Sequence, residues 1–424
     1  MQTHFTDDQL ADAATGASAA ELRRCVHCGF CNARCPTYQL TGDELDSPRG
    51  RIYLIKEMLE RDEPPSDRVV YHLDRCLSCL SCKTTCPSGV DYMQLIDHAR
   101  SHIARRYRRP LPDRLMRAAV MHIFPRPRLF RAVAAIGRPA AALAPLLPGT
   151  FAYRARMTAF RHRRRLDAPA PSEPAAGAPS VLVLEGCVQP ALGPSINTAT
   201  RHVARRLGFR AVPVRDSECC GAIELHLGAE EAARRRVRRN VDSWIAALDE
   251  TGAEHVVVNA SGCGTMLKHY AALLADDPAY AAPAARLAAA TRDVSEWLAE
   301  VLERRPLAPA DAPRVAYHGA CSLQHGQRIH GQVVTWLQDL GFDVVEPAEP
   351  HLCCGSAGTY NLFQPAMAQR LGERKAGHLA ATGAGLVVAG NLGCSLQIGA
   401  YSDLPIVHPV ELVDWALARS ARAR

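Results

Sequence analysis

Eight cysteines near the N-terminus repeat one spacing, which is the strongest chemical signal in the sequence. Residues 25–36 (CVHCGFCNARCP) have the pattern C-x₂-C-x₂-C-x₃-C-P, and residues 76–87 (CLSCLSCKTTCP) repeat it. Bacterial ferredoxins with two [4Fe–4S] clusters use this run, and its fourth cysteine binds the other cluster. The pattern therefore predicts two [4Fe–4S] clusters with crossed ligands. The predicted sets are Cys25, Cys28, Cys31 and Cys86 for one cluster, and Cys76, Cys79, Cys82 and Cys35 for the other.

Zinc and disulfide bonds are the alternatives for these cysteines. Structural zinc usually takes four ligands in two separated pairs, and a C-x₂-C-x₂-C run fits that arrangement poorly. The N-terminus has neither the basic region nor the apolar region of a secretory signal, so we expect the chain to stay in the reducing cytoplasm. Sixteen cysteines in that compartment favour metal or redox chemistry over a disulfide framework.

Eight further cysteines form a repeat in the C-terminal half. In each copy a single cysteine precedes a Cys-Cys-Gly triplet by the same separation, and a fourth cysteine follows the triplet. One constant shift along the sequence, called here the repeat offset, relates the first three cysteines of the two copies, which predicts two tandem copies of one domain. The first copy contains Cys187, Cys219, Cys220 and Cys263, and the second contains Cys321, Cys353, Cys354 and Cys394.

Four thiols per copy suit three kinds of site, and the sequence leaves all three open. Adjacent cysteines present two sulfurs to one metal, and Gly221 and Gly355 let the backbone approach closely. The site is then an additional iron–sulfur cluster or a structural zinc, while reduced cysteines that only pack are the third interpretation. Three histidines near the second set could be ligands, proton relays or ordinary structural residues. They are His318, His325 and His351.

The apolar pattern predicts the elements that position these cysteines. Residues 48–59 form an amphipathic helix opening with a proline, and we expect Arg49 and Arg51 to face water rather than to shape a cluster potential. In each copy short β-branched runs alternate with helical stretches, which favours α/β units around a parallel sheet. Cysteines are then expected on loops just after strands. The predicted strands are residues 181–184, 255–259, 314–318 and 385–389, and the predicted helices are residues 196–207 and 331–340.

The predicted fold class is α+β multidomain, with a helical N-terminal dicluster ferredoxin-like domain followed by two tandem α/β cysteine-rich domains. A chain of 424 residues suffices for about two or three domains. No apolar run reaches the roughly 20 residues that a membrane span needs. The predicted segments are a two-cluster domain (1–104), an Arg-rich connector with a Pro/Ala linker (105–179), and the first (180–306) and second (313–424) Cys-Cys-Gly domains.

The connector is strongly basic. Sixteen arginines and one acid, Asp113, lie between residues 105 and 165, a local charge of +15 in a chain of +7. This asymmetry suggests an acidic partner or an anionic membrane surface, with a solvated helical connector as the alternative. Nucleic acid is not predicted as a partner, because stacking aromatic residues are not interleaved with the arginines.

Two stretches resemble a known family. Residues 25–56 read CVHCGFCNARCPTYQLTGDELDSPRGRIYLIK, and residues 351–362 read HLCCGSAGTYNL. Both resemble the iron–sulfur subunit of bacterial glycolate oxidase (glycolate dehydrogenase), and the resemblance covers nearly the whole chain. It implies a subunit that works with separate flavin-binding subunits, which oxidise glycolate to glyoxylate. It further implies that electrons continue towards an acceptor such as membrane quinone, and that the eight N-terminal cysteines are the cluster ligands.

The repeats resemble the cysteine-rich domains of heterodisulfide reductase and of anaerobic glycerol-3-phosphate dehydrogenase. The fullest form of that motif ends in C-x₂-C, but here one cysteine remains at each end, Cys263 and Cys394. This departure argues against a five-cysteine noncubane cluster and against disulfide reduction in both repeats. The residues three positions away, where the missing cysteine would stand, are Ala260, Met266, Asn391 and Gln397.

The sequence therefore predicts the electron-transfer subunit of a glycolate-oxidising complex. No G-x-G-x-x-G follows a strand, so we expect no activity on glycolate without the flavin-binding subunits. The alternatives are the same role with D-lactate or another 2-hydroxy acid, a thiol–disulfide subunit, or a scaffold with structural metals. The expected location is cytoplasmic and peripheral, on the inner face of the cell membrane, with quinone or another membrane acceptor as a further partner.

Overall fold

Helices dominate the N-terminal part of the chain, and two small parallel sheets follow it. The computed structural model describes residues 1–142, 162, 166–214, 217–302 and 306–422. Residues 143–161 and 163–165 of the predicted connector lie outside the described residues. A helical N-terminal part followed by two α/β units confirms the predicted fold class.

The N-terminal helices enclose a core of fully buried aliphatic side chains, among them Leu22, Ile55 and Leu73. The predicted amphipathic helix is confirmed, with Ser47 capping its N-terminus by accepting a hydrogen bond from the Gly50 amide. The helices are α1 (Asp7–Ala11), α2 (Ala13–Arg24), α3 (Pro36–Thr41), α4 (Pro48–Arg61), α5 (Asp67–Asp74), α6 (Ser81–Thr85) and α7 (Tyr92–Arg106).

The prediction that both arginines of α4 face water is wrong for Arg51. Its side chain is 1% exposed, whereas that of Arg49 is 35% exposed. The Arg51 guanidinium lies 3.3 Å from the buried carboxylate of Asp46 and donates to the hydroxyl of Thr37 at 3.0 Å. Because this carboxylate compensates the charge, the arginine remains inside the fold, beside one cysteine run.

Two helices, α8 (Leu111–Ile123) and α9 (Pro127–Ala142), make up the described part of the basic connector. Phe130 of α9 packs against Ala191 of the first Cys-Cys-Gly copy. Arg109 and Arg117 form ion pairs with Asp74 and Asp113, so this part is not uniformly solvated. None of the helices in the described ranges has the length and apolar character needed to cross a bilayer.

Each Cys-Cys-Gly copy contains a four-stranded parallel sheet, and the two sheets have the same topology. The strand orders are β2-β1-β3-β4 and β6-β5-β7-β8. The four predicted strands are confirmed as β1, β3, β5 and β7, whereas the outer strands were not among the predicted elements. The strands are β1 (Ser180–Leu184), β2 (Arg210–Pro213), β3 (Val256–Val258), β4 (Thr291–Asp293), β5 (Val315–His318), β6 (Val344–Val345), β7 (Leu386–Ala389) and β8 (Ile406–Val407).

Helices cover the sheets, and the two predicted helices are confirmed within two residues at each end. Gly208 and Gly341 follow them with φ of 83° and 89°, the left-handed conformation that glycine adopts without strain. The first copy contains α10 (Gln189–Leu192), α11 (Pro194–Arg206), α12 (Ala222–His226), α13 (Glu230–Thr251), α14 (Ser261–Leu273), α15 (Ala281–Ala290) and α16 (Val294–Val301). The second contains α17 (His330–Asp339), α18 (Tyr360–Phe363), α19 (Pro365–Ala380), α20 (Leu392–Gly399) and α21 (Pro409–Arg422).

Candidate metal centres

Two pockets in the N-terminal part are lined by cysteines from both sequence runs. Among the cysteines that line the first pocket, Cys86 comes from the second run, and among those of the second pocket Cys35 comes from the first run. Cys82 borders both pockets. The crossed arrangement of the fourth cysteines is therefore present in the fold. The first pocket is lined by Cys25, Cys28, Cys31, Cys82 and Cys86, and the second by Cys35, Cys76, Cys79 and Cys82.

The two cysteine loops share one unusual backbone conformation. His27 and Gly29 flank Cys28 with φ of 56° and 81°, and Ser78 and Leu80 flank Cys79 with φ of 50° and 61°. Left-handed backbone at a residue such as Leu80 is strained, and such strain concentrates at functional sites. The same two positions are left-handed in both loops, and the three thiols of each loop line one pocket.

Burial keeps these thiols protonated as long as no metal is bound. Burial raises the pKa of Cys31 to about 12, and burial also raises the pKa of Cys79 and Cys82 well above the usual range. Unliganded thiols in such surroundings remain protonated, whereas a bound metal deprotonates its cysteine ligands. Thiols from three positions of one loop and a fourth position of the other are the donor set that a [4Fe–4S] cluster takes. The residues present therefore fit two clusters, with the ligand sets predicted above.

In each Cys-Cys-Gly copy the structure brings the four thiols into one continuous chain. Cys187, Cys219, Cys220 and Cys263 lie close enough in the first copy that each thiol raises the pKa of the one before it in this order. In the second copy the corresponding chain begins with Cys321 and Cys353, whose sulfurs are 4.0 Å apart, and ends at Cys394. The fourth cysteine of each copy lies in the first turn of α14 or α20 rather than on a loop.

The glycine of the second Cys-Cys-Gly triplet allows the close backbone approach that the sequence predicts, whereas Gly221 shares only its left-handed conformation. Gly221 and Gly355 have φ of 88° and 89°. A Cβ on Gly355 would lie 2.6 Å from the carbonyl oxygen of Ala368, so the turn packs directly on α19. Only glycine combines this left-handed backbone with this close approach.

The second copy packs against the second N-terminal pocket. Leu77 of the second cysteine run, Leu352 and Cys353 belong to one small apolar cluster, and Cys79 and Cys321 pack against it. The first copy contacts the N-terminal part through α7 instead, where His226 lies 3.4 Å from Asp97. The thiols of the second copy therefore lie beside a predicted cluster site.

The three histidines near the second set differ in their surroundings. The Nδ1 of His325 contacts the Thr84 hydroxyl at 2.8 Å, and its buried Nε2 has no hydrogen-bond partner among the described residues. His351 is half-buried and its Nε2 has no hydrogen-bond partner in the described part of the chain. Neither ring nitrogen of the fully buried His318 has a partner there, and this histidine lies near Cys354 and Cys394.

Comparison with known protein families agrees with this division of the chain. A family described as "4Fe-4S dicluster domain" matches residues 21–90, and one described as "Cysteine-rich domain" matches residues 181–268 and 315–399. These matches confirm the prediction of iron–sulfur clusters.

Relatives are found along the whole chain. The "Glycolate oxidase iron-sulfur subunit" of Escherichia coli (strain K12) is 41% identical over 99% of this chain and 100% of its own length. The "Probable glycolate oxidase iron-sulfur subunit" of Bacillus subtilis (strain 168) is 31% identical over 89% of this chain and 88% of its own. The "Lactate utilization protein A" of Shouchella clausii (strain KSM-K16) is 27% identical over 50% of this chain and 87% of its own.

One solved structure, titled "Crystal structure of a hypothetical protein from Helicobacter pylori", shares the fold. Its TM-score is 0.53 at 10% identity, over 96% of this chain and 72% of that one. At this identity the likeness concerns the fold alone.

Proposed function

The chain belongs to the family of glycolate oxidase iron–sulfur subunits, and we propose that it carries electrons from a flavin-binding subunit, which oxidises glycolate to glyoxylate, towards a quinone. The single observation that carries the proposal is the pair of crossed thiol pockets. A [4Fe–4S] cluster bound in such a pocket supplies a one-electron carrier. The cysteines of the two predicted sets would hold the clusters.

The two pockets differ in what lies next to them. Cys28, in the first pocket, is exposed, and the adjacent Val26 and Phe30 are 67% and 63% exposed. An electron-donating subunit can therefore approach this pocket from solvent. Cys79, in the second pocket, packs beside Cys321 of the second copy instead. We propose that electrons enter at the first pocket, on the Cys28 side, and leave by way of the second pocket, inside the chain.

Glycolate is expected to reduce this chain only in the presence of its flavin-binding subunits. The chain has no dinucleotide fingerprint, and hydride or electron-pair chemistry on a 2-hydroxy acid needs such a cofactor. Reduction can be followed anaerobically by EPR after adding glycolate to the isolated chain and to the co-purified complex, with dithionite as the positive control. Glycolate oxidation by the isolated chain would contradict the proposal, and so would a complex reduced by dithionite but not by glycolate.

D-lactate is the second candidate donor, favoured by the relatives named "Lactate utilization protein A". The donor would bind to a partner subunit, so the same experiment with D-lactate distinguishes the two. A thiol–disulfide function receives less support, because Cys219, Cys220, Cys353 and Cys354 are at most 5% exposed. A disulfide substrate could not reach these sulfurs, and their high pKa disfavours the reactive thiolate.

We also propose that the chain acts in the cytoplasm and that α8 and α9 rest on an anionic membrane surface. Leu111, Leu115 and Ile136 are 62%, 61% and 76% exposed, although large apolar side chains usually favour burial. Arg114 and Arg128 are exposed on the same two helices and form no ion pair with the described residues. Exposed aliphatic residues among arginines characterise helices that lie in a membrane interface.

Changing Leu111 and Leu115 to glutamate should weaken binding to vesicles that contain anionic lipid by at least about tenfold, since each buried leucine contributes roughly 1.5–3 kcal/mol. Vesicle flotation at low and moderate salt measures this binding. Tyr71→Glu is the matched control, because Tyr71 is 55% exposed but lies on α5. Equal flotation of the leucine variant and the control would exclude these helices as the membrane contact.

A further inference from the structure

A large pocket lies between the basic connector and the first Cys-Cys-Gly copy. Its lining includes Glu185 and Gly186, which follow β1, and Pro213 and Val214, at the end of β2. Open α/β sheets bind their ligands outside the carboxyl ends of the strands. The volume of about 680 Å³ falls within the roughly 300–1,000 Å³ of small-molecule sites. No cysteine of the described residues lines this pocket, so it is separate from the candidate metal centres.

Arginines dominate the polar lining of this pocket, called here the basic pocket. Five arginines and two glutamates line it, which gives a formal charge of +3. Glu185 pairs with Arg201 outside the pocket, and Glu218 pairs with the two lining arginines of α13. One of these arginines also pairs with Glu224, so the partners outside the pocket cancel each other. The lining arginines are Arg126, Arg128 and Arg131 from the connector, and Arg236 and Arg239 from α13.

The three connector arginines have no carboxylate partner. Arg126, Arg128 and Arg131 are exposed and form no ion pair with the described residues. The Arg126 side chain donates to the backbone carbonyl of His122 at 2.5 Å. Hydrogen bonding from Arg239 lowers the pKa of Glu218, and the charge of Arg126 adds to this effect. The connector arginines therefore approach the same carboxylate as those of α13 without being neutralised by it.

Apolar packing fixes the wall that α9 forms. Phe130 is 8% exposed and packs against Ala191 of the first copy. Its ring centroid lies 4.9 Å from that of Phe124. Because Phe130 is anchored, the arginines on either side of it are held over the sheet. A wall that is already in place loses little conformational entropy when a ligand binds.

The equivalent face of the second copy is covered by protein. The repeat offset relates Arg236 to Arg370 and Glu218 to Leu352. Arg370 donates to the backbone carbonyl of Leu40 in the N-terminal part at 2.7 Å, and Leu352 packs against the second cysteine run. In the first copy α9 borders this face and leaves the basic pocket beside it. The two copies therefore use the same face differently.

We infer that the basic pocket binds a small ligand that carries a phosphate group. A guanidinium group binds phosphate through two parallel charge-assisted hydrogen bonds. One phosphate group carries about two negative charges at neutral pH. It therefore matches the excess of positive charge better than a single carboxylate does. Leu129 and Val214 also line the pocket and offer apolar surface to the rest of the ligand.

Titration calorimetry with pyrophosphate tests this inference on the anaerobically purified full chain. We expect saturable binding at about 0.15 M salt, where attraction between distant exposed charges is screened. Arg126→Gln with Arg131→Gln should weaken this binding by at least about tenfold, because hydrogen bonds to charged groups are lost. Cluster absorbance confirms that each variant is folded.

The matched control removes two positive charges outside the pocket. Arg114 and Arg235 are exposed on α8 and α13, and neither lines the basic pocket. Arg114→Gln with Arg235→Gln should therefore bind pyrophosphate like the unaltered chain. The inference is overturned if pyrophosphate does not bind, if both double variants weaken binding equally, or if citrate binds as tightly as pyrophosphate.

The phosphate belongs either to a soluble metabolite or to a lipid headgroup, because α9 is also part of the proposed membrane surface. Flotation with phosphatidate-containing vesicles, with and without saturating pyrophosphate, distinguishes the two sources. Reduced flotation with pyrophosphate supports a headgroup in the pocket, whereas unchanged flotation supports a soluble metabolite. The site does not depend on the proposed electron transfer, so a failure of either leaves the other standing.

Discussion

Replacing Cys86 with serine is expected to remove the cluster of the first pocket and to lower the iron content by about four atoms per chain. Cys86 belongs to the second cysteine run but lines the first pocket, together with Cys25, Cys28 and Cys31. The second pocket does not include Cys86. Loss of one thiolate should therefore leave the second cluster in place.

Pairs of substitutions distinguish crossed from uncrossed ligation. If ligation is crossed, Cys28→Ser with Cys86→Ser removes two ligands of one cluster, and the double variant should lose only about four irons. Cys28→Ser with Cys35→Ser should lose both clusters, since Cys35 lines the second pocket. The opposite pattern would mean that each run binds its own cluster. Ser88→Ala, next to the first pocket, is the control and should keep all the iron.

The single variant Cys86→Ser should also stop electron transfer from glycolate to the quinone. The first pocket is the one with an exposed cysteine, and the second packs against the second Cys-Cys-Gly copy. We therefore expect the complex with Cys86→Ser to retain flavin reduction by glycolate and to lose reduction of a quinone analogue. Rapid mixing that follows flavin and quinone absorbance separates the two steps. Normal quinone reduction would mean that electrons bypass the first pocket.

Spacing alone indicates which cysteines share a loop, because three cysteines within seven residues cannot lie far apart. The crossed roles of Cys35 and Cys86 come from the ferredoxin-type pattern, and the two ligand sets stay a prediction. The central strands are equally predictable, because they are short runs of buried β-branched residues. The outer strands escape prediction for a physical reason: β2 has the burial pattern of an exposed edge and ends at Pro213, and β4 reads Thr-Arg-Asp, which contains no apolar residue.

Burial and charge compensation are the parts that the sequence does not reveal. In sequence terms His318 is one of three histidines near a cysteine set, and only the fold shows that both its nitrogens lack a partner in the described part of the chain. Lys375 is also fully buried, and because it carries no motif the sequence does not predict it. One signal is present in the sequence, because the repeat offset aligns His318 with Leu184 and Lys375 with Val241. Comparing the two copies position by position would identify both residues as differences at an otherwise repeated site.

Changing Asp46 to asparagine is expected to destabilise the N-terminal part by about 3–5 kcal/mol, the cost of leaving a buried charge without its partner. Asp46 is fully buried and its carboxylate lies 3.3 Å from Arg51, 2.6 Å from Arg75 and 3.0 Å from His72. Asparagine keeps the size and removes the charge, so Arg51 remains inside the fold without compensation. The midpoint of anaerobic urea unfolding, followed by helical circular dichroism and by cluster absorbance, measures the loss.

The ion pairs of Asp46 should also protect the second cluster. Arg51 lies 3.9 Å from the sulfur of Cys35, and the backbone oxygen of Asp46 lies 3.5 Å from the same sulfur. We therefore expect Asp46→Asn to lose cluster absorbance at a lower urea concentration than helical signal. Glu57→Gln is the control, since its ion pair with Arg61 is exposed and such pairs contribute about 0–1 kcal/mol. Replacing Arg51 by methionine in the Asp46→Asn background should restore part of the stability, because the uncompensated charge is then gone. If Asp46→Asn behaves like Glu57→Gln, water must reach the side chain at position 46. In that case the buried ion pair between Asp46 and Arg51 does not hold Cys35 in place.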